Sequence, residues 1–187
     1  MILESSHHFC AVTDLWRDKK LTTDLPHDEI PILYRWWFPS ESEPMEAIEK
    51  YLTANPDDAQ MHYLYHSRVK KKKIGKETYY ALYFGKSING RKRFRHHING
   101  PLDNSTLRRT LYALLFSDVD ATQAETEISV LLSSCYYEWI ELPDDREMVD
   151  MLEMTAISLG AYPLNMDGHP AISNQWREYV MGKRKQK

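Results

Sequence analysis

Cysteine is almost absent from this chain. Its 187 residues include only Cys10 and Cys135, which show neither CxxC spacing nor any sign of pairing. That scarcity excludes a disulfide framework and a thiolate-held structural zinc, and it fits a reducing, cytoplasmic setting. Long apolar runs are missing too. Nothing approaches the roughly 18 apolar residues of a membrane span, and the N-terminus lacks a signal-peptide pattern, so no membrane partner is expected. Internal repeats and low-complexity linkers are likewise lacking, and a single domain over residues 1–187 is expected. What is present suffices for a core: 42% of the residues are apolar and 12% aromatic.

The net charge of −3 conceals a strong asymmetry. Residues 68–95 hold eleven cations against one acid, Glu77, a net of +10; the rest of the chain holds 13 cations and 26 acids, a net of −13. The cations are Arg68, Lys70, Lys71, Lys72, Lys73, Lys76, Lys86, Arg91, Lys92, Arg93 and Arg95. Charges that merely solvate a surface are interspersed in sign, whereas a concentrated positive face attracts a polyanion through its phosphates. The plainer reading is a solvated hairpin tip around Lys70–Lys76 with no partner.

Periodicity and breakers predict an α+β fold: a small antiparallel β-sheet flanked by helices, with an inserted helix and a basic β-hairpin. The first thirty residues read as irregular, apart from a short helix over 12–17. PILYRWWF, residues 31–38, is a dense β-branched and aromatic strand. Of its Trp36-Trp37 pair, one ring is expected in the core and one outside. Residues 43–52 have helical spacing. Residues 61–69 and 78–84 read as two strands flanking the Lys-rich tip, where Gly75 supplies a turn. The second strand then runs into a turn at Gly85 and a helix from about Gly90. Asn99-Gly100-Pro101 breaks that helix, and Ser105 caps the next, to about Phe116. Further helices are expected over 122–132, from Asp144-Asp145 to Gly160, and over 173–181, with a strand over 135–141.

Chemistry concentrates where Tyr83-Phe84-Gly85-Lys86-Ser87 meets Arg93 and His97. A phenol, an amine, a guanidinium and an imidazole around one strand-to-helix corner suit a phosphodiester: the cations face the anion, and Tyr and His move protons. Farther on, Glu153 shares an apolar helix stripe with Val149 and Ile157. A carboxylate buried there needs a partner, either a hard cation such as Mg²⁺ or one of the arginines. Arg108 and Arg109 open an apolar helix and extend the expected phosphate-binding set. His7, His8 and Cys10 are close together, but such a cluster near a terminus is usually incidental. The basic tail 182–187 reads mainly as solvated.

Taken in order, these residues resemble the GIY-YIG endonuclease superfamily over about residues 30–180. Tyr83-Phe84-Gly85 is similar to its second signature triplet, with Phe for the usual Ile. Arg93 falls at the family's helix arginine and Glu153 at its metal-ligand glutamate. Pro163-Leu164-Asn165 resembles its downstream asparagine motif. His97 is similar to a histidine of the restriction-enzyme branch, and residues 105–111 resemble a helix of some bacterial members. The first triplet is best matched by Ile32-Leu33-Tyr34, which lacks the family's glycine and is separated from Tyr83 by 48 intervening residues. Tyr63-Leu64-Tyr65 competes with it.

The resemblance implies hydrolysis of a phosphodiester in double-stranded DNA with Mg²⁺ (or Mn²⁺), of a restriction or defence type. It implies a catalytic set of Tyr34, Tyr83, Arg93, His97, Glu153 and Asn165, with Glu153 as metal ligand. Lys86, Arg91, Lys92, Arg95, Lys70–Lys73, Arg108 and Arg109 would hold phosphate. In this reading Tyr34 is a base whose phenolate is favoured by Lys86, Arg91, Arg93 and the metal. Tyr83 positions the water or the phosphate, and Arg93 holds the phosphate. His97 contacts phosphate or assists proton transfer, and Asn165 orients the glutamate or closes the site from behind. A homodimer would suit a palindromic target. The alternatives are a non-cleaving nucleic-acid-binding module on the same fold and a binder of acidic proteins.

Overall fold

The computed structural model describes residues 8–22, 25, 28–166 and 169–184. A five-stranded sheet organises them. Its strands are β1 (His8–Ala11), β4 (Ile32–Pro39), β5 (Lys71–Ile74), β6 (Glu77–Ser87) and β7 (Tyr136–Glu141), in the spatial order β1-β7-β4-β6-β5. Every pairing in it is antiparallel. Before β4 come a one-turn helix α1 (Val12–Leu15) and a small ribbon of β2 (Trp16–Arg17) and β3 (Lys20–Leu21). Strand β1 is an addition to the expected elements. HFCA is too short for a clear period-2 signal, and its pairing with β7 is what makes it a strand.

The central strand β4 is buried on both faces, which explains its near-continuous apolar run. Ile32, Tyr34, Trp36 and Phe38 face the larger core, while Leu33 and Trp37 face the smaller one. Both tryptophans are therefore inside, on opposite faces; the expectation that one would be exposed fails because helices cover both sides of the sheet. Against the larger core pack α2 (Glu43–Ala54), α4 (Gly90–Asn99), α5 (Thr106–Leu115), α6 (Ala121–Ser133) and α8 (Asn174–Arg184). Helix α7 (Arg146–Leu159) covers the other face and contributes Ile157.

The expected strand over 61–69 is helical instead. Helix α3 (Ala59–Tyr63) runs into a π-turn, Leu64–Arg68, with Asp58 accepting a hydrogen bond from the Met61 N–H at its start. Buried Met61, Leu64 and Tyr65 follow helical spacing, so the aromatic content of the run misled the strand reading. The basic hairpin survives in shortened form: β5 pairs with only the first residues of β6, from Lys71 opposite Tyr80 to Ile74 opposite Glu77. The turn is made by Gly75, whose φ of +61° lies in the left-handed region. The first part of β6 thus has β5 beside it, whereas its second half, from Leu82 onward, lies beyond that pairing. The 162–166 segment covers this half: Leu164 donates its N–H to the Leu82 carbonyl at 2.9 Å.

Candidate active site

Tyr34 sits on β4 directly opposite Gly85 of β6. Its hydroxyl overhangs that glycine so closely that a Cβ there would lie 2.6 Å from the Tyr34 oxygen. Strand β6 continues through Gly85 to Ser87, so the expected turn at Gly85 is not there. Gly85 supplies space for a ring, not a bend in the chain.

The Tyr34 hydroxyl lies 2.8 Å from His97 Nε2, and His97 Nδ1 lies 2.7 Å from Ser105 Oγ. His97 and Ser105 are buried, at 0% and 1% exposure. Burial, followed by the charges of Arg93, Arg108 and His96, pulls His97 well below its ordinary pKa, so the imidazole is neutral. Burial likewise raises Tyr34 well above 10, with Tyr83 adding to it; Arg93 opposes the rise, and Glu153 contributes to it. The resting group is a phenol. The expectation of a cation-favoured phenolate is corrected accordingly: Lys86 and Arg91 are engaged elsewhere, and Arg93 does not outweigh burial. Tyr83 stands beside this pair, its ring 6.4 Å from that of Tyr34 and 5.8 Å from that of His97.

Tyr65, the competing match, lies in the π-turn, where its hydroxyl donates to Glu49 at 3.0 Å. It is not on a strand beside Tyr83, whereas Tyr34 is. The site also draws on α4, whose Asn89 cap accepts the Lys92 N–H at 2.8 Å. This fixes Arg93 one turn before His97, on the side facing the tyrosines.

A family model described as GIY-YIG catalytic domain matches residues 32–186. The chain belongs to that family. No curated protein and no solved structure matches it. Membership of the GIY-YIG family implies nuclease chemistry in general, and it agrees with the curled antiparallel sheet flanked by helices.

In this GIY-YIG domain, Glu153 and Tyr83 line one cleft of about 390 Å³, with Thr106, Asn165 and Met166. Glu153 is one-fifth exposed, and its partner is neither of the expected ones. Lys86 Nζ lies 2.9 Å from Glu153 Oε2 and 2.9 Å from Asp150 Oδ1. Asp150, one turn before Glu153, escaped the sequence reading, although the i, i+3 spacing of two acids was its signal. Among the described residues no three His, Cys, Asp or Glu side chains gather into a metal cage. One carboxylate at a wet cleft nevertheless suits Mg²⁺, which keeps most of its waters. The Lys86 ammonium marks the spot as one that already holds a cation.

Asn165 does not bond to Glu153. Its side-chain oxygen accepts the Phe84 N–H at 2.9 Å and its amide donates to the Phe84 carbonyl at 2.7 Å. It thus replaces a neighbouring strand along the second half of β6.

The expected phosphate-binding residues divide. Lys92 and Arg95 are exposed on α4, and Lys92 and Arg93 line an open cleft of about 610 Å³ with His96 and Asn89. Arg91 donates to the Thr22 carbonyl at 3.2 Å. Arg109 is exposed beside Thr106. Arg108 is a correction: it is buried, and its guanidinium donates to the carbonyls of His97, Ile98 and Glu125 and to Ser129, so it cannot reach a phosphate. Burial draws its pKa down to about 10. Lys72 is tied to the sheet, with Nζ 3.8 Å from the Phe9 ring centroid and 3.7 Å from Glu138 Oε1. Lys71 lies over the Tyr80 ring; Lys73 is exposed, while Lys70 lies at the start of the hairpin. At about 3.3 Å per residue, the hairpin's pairing with Tyr80 is roughly 17 Å along β6 from Gly85. It stands apart from the catalytic corner. His7 and Lys185–Lys187 lie outside the described residues; His8 stacks on Trp139, and Cys10 is in β1.

Proposed function

We propose that this GIY-YIG domain is a divalent-metal-dependent endonuclease acting on double-stranded DNA, of the restriction or defence type that the Arg93–His97 spacing resembles. The observation that carries the reading is the convergence of Tyr34, Tyr83, Arg93 and His97 on one side of β6 with Glu153 at its open end. Tyr34, once ionised, takes a proton from the attacking water, whose oxygen then bonds to phosphorus as the bond to the leaving oxygen breaks. Its raised pKa makes ionisation the costly step. His97, sealed behind Tyr34, acts on the tyrosine and not on the phosphate. Tyr83 orients the water, and Arg93 holds the scissile phosphate and offsets the charge that grows on it. A divalent cation on Glu153 would reverse that carboxylate's effect on Tyr34 and stabilise the leaving oxygen. Lys92, Arg95 and Arg109 meet the flanking phosphates, whose contacts are salt-dependent. The basic hairpin extends this surface.

Supercoiled plasmid with Mg²⁺ tests the reading. Nicking or linearisation is expected in wild type and is lost with EDTA and in Glu153→Ala, while Glu153→Ala still binds DNA. Wild type that binds duplexes of many sequences without cleaving any, with Mg²⁺ or Mn²⁺, would make this a nucleic-acid-binding module.

A further inference from the structure

The Tyr34–His97–Ser105 chain contains three polar hydrogens: the Tyr34 hydroxyl, one imidazole N–H and the Ser105 hydroxyl. Only two hydrogen bonds link the three groups, at 2.8 Å and 2.7 Å, so one hydrogen is left over. Which one it is decides what Tyr34 offers the substrate. Ser105 Oγ is already an acceptor, because as N-cap of α5 it takes the Arg108 N–H at 3.1 Å. A second N–H, from His97 Nδ1, would meet the same oxygen against the positive end of the helix. It would also leave the Ser105 proton pointing at nothing, since Arg108 N and His97 Nδ1 are that oxygen's partners among the described residues and the side chain is buried. The opposite arrangement pairs every hydrogen of Ser105 and His97: Ser105 donates to Nδ1, Nε2–H donates to the Tyr34 oxygen, and the spare hydrogen belongs to Tyr34, whose side chain is 2% exposed.

We propose that Ser105 is a positioning residue that holds His97 in its Nε2–H form, so that a directed chain from Ser105 through His97 presents an N–H to the Tyr34 oxygen. The inference rests on the reading of Tyr34 as the base. It gives the hydroxyl of the STLRRTL motif a second task beside capping. Once Tyr34 has lost its proton, its phenolate keeps a donor from within the core. Arg108, donating to the carbonyls of His97 and Ile98, keeps the end of α4 against α5 and so holds the ring in line. The chain is the familiar logic of a group that orients a histidine by occupying its other nitrogen.

The full-length protein labelled with ¹⁵N-histidine tests this directly, because the two ring nitrogens of a neutral imidazole report which one carries the proton. Ser105→Gly removes the hydroxyl while keeping an acceptable helix cap, and Ser105→Thr retains both. Wild type and Ser105→Thr are expected to show Nε2–H at His97, and Ser105→Gly a mixture of forms. In cleavage assays Ser105→Gly should lose about 10- to 100-fold in kcat at unchanged KM, the range of such outer contacts. Its rise of rate with pH should also move to higher pH, and Ser105→Thr should restore both. Nδ1–H in wild type, or a tautomer and pH profile that Ser105→Gly leaves unmoved, would overturn the proposal. If wild type cleaves no DNA, the reading of Tyr34 as base falls, while the nitrogen shifts still decide what Ser105 does.

Discussion

Gly85 carries its meaning in a missing atom. Its neighbour across the sheet is Tyr34, and the space where a side chain would begin is filled by the tyrosine's ring and hydroxyl. In Gly85→Ala the added methyl must displace the phenol, and the 2.8 Å contact to His97 is the first casualty. The expected outcome is a loss of at least about 100-fold in cleavage rate, on the scale of a mispositioned catalytic group. Overpacking should cost about 1–3 kcal/mol of stability, read as a lower melting temperature, while DNA binding stays near wild type. Unchanged cleavage would show that Tyr34 is not held where the chemistry needs it. The same scale explains Arg108: the charge invites a phosphate, yet four internal acceptors claim the guanidinium.

At the scale of elements, β6 does two jobs along its length. Its first half is an ordinary hairpin strand; its second half leaves β5 behind, and Asn165 stands in for the missing neighbour. Asn165→Ala would leave the Phe84 N–H and carbonyl unmatched at a buried edge. Such groups cost about 1–3 kcal/mol each, and a chain of this size loses roughly 2–4 °C per kcal/mol. A drop in melting temperature of several degrees is expected, with weaker cleavage because Tyr83 is the next residue along. A variant as stable as wild type would mean that water satisfies Phe84 and that the asparagine does not close the edge. The pairing also explains why the site has two sides: α4 and α5 reach the tyrosines from one face, while α7 brings Glu153 round from the other.

On the scale of the whole molecule, burial of histidine sets an acid limit. His169 is buried, with both ring nitrogens facing backbone N–H groups, of Tyr162 and Ala171, so a proton on either nitrogen faces another N–H. Burial, then Arg68 and Arg177, brings its pKa down to about 4; His97 is lowered too. The unfolded chain binds these protons near a pH of about 6.5 and the folded one does not. Stability is therefore complete above about pH 6.5 and declines as the pH falls towards about 4. Urea denaturation from about pH 7 to about pH 4 should show that decline, and His169→Gln should flatten it; an identical slope in the variant would exclude His169 as its source. Much of this molecule is legible in its linear pattern. The strand PILYRWWF, the helices of the C-terminal half and the Ser105 cap follow from local pattern and spacing, whereas the order Tyr34, Tyr83, Arg93, His97, Glu153, Asn165 comes from the resemblance to the family. Local pattern failed where the competing signals were equally local, as at 59–68, where aromatic residues on a helical face imitated a strand. By itself the sequence determined the family, the fold class and the residue types available for chemistry, because these depend on periodicity and order along the chain. Only the tertiary structure decided which charge meets which. Lys86 turned to Asp150 and Glu153, Arg108 turned inward, Gly85 yielded its space to Tyr34, and Ser105 came to rest on His97, since each depends on strand register and helix packing between residues distant in sequence.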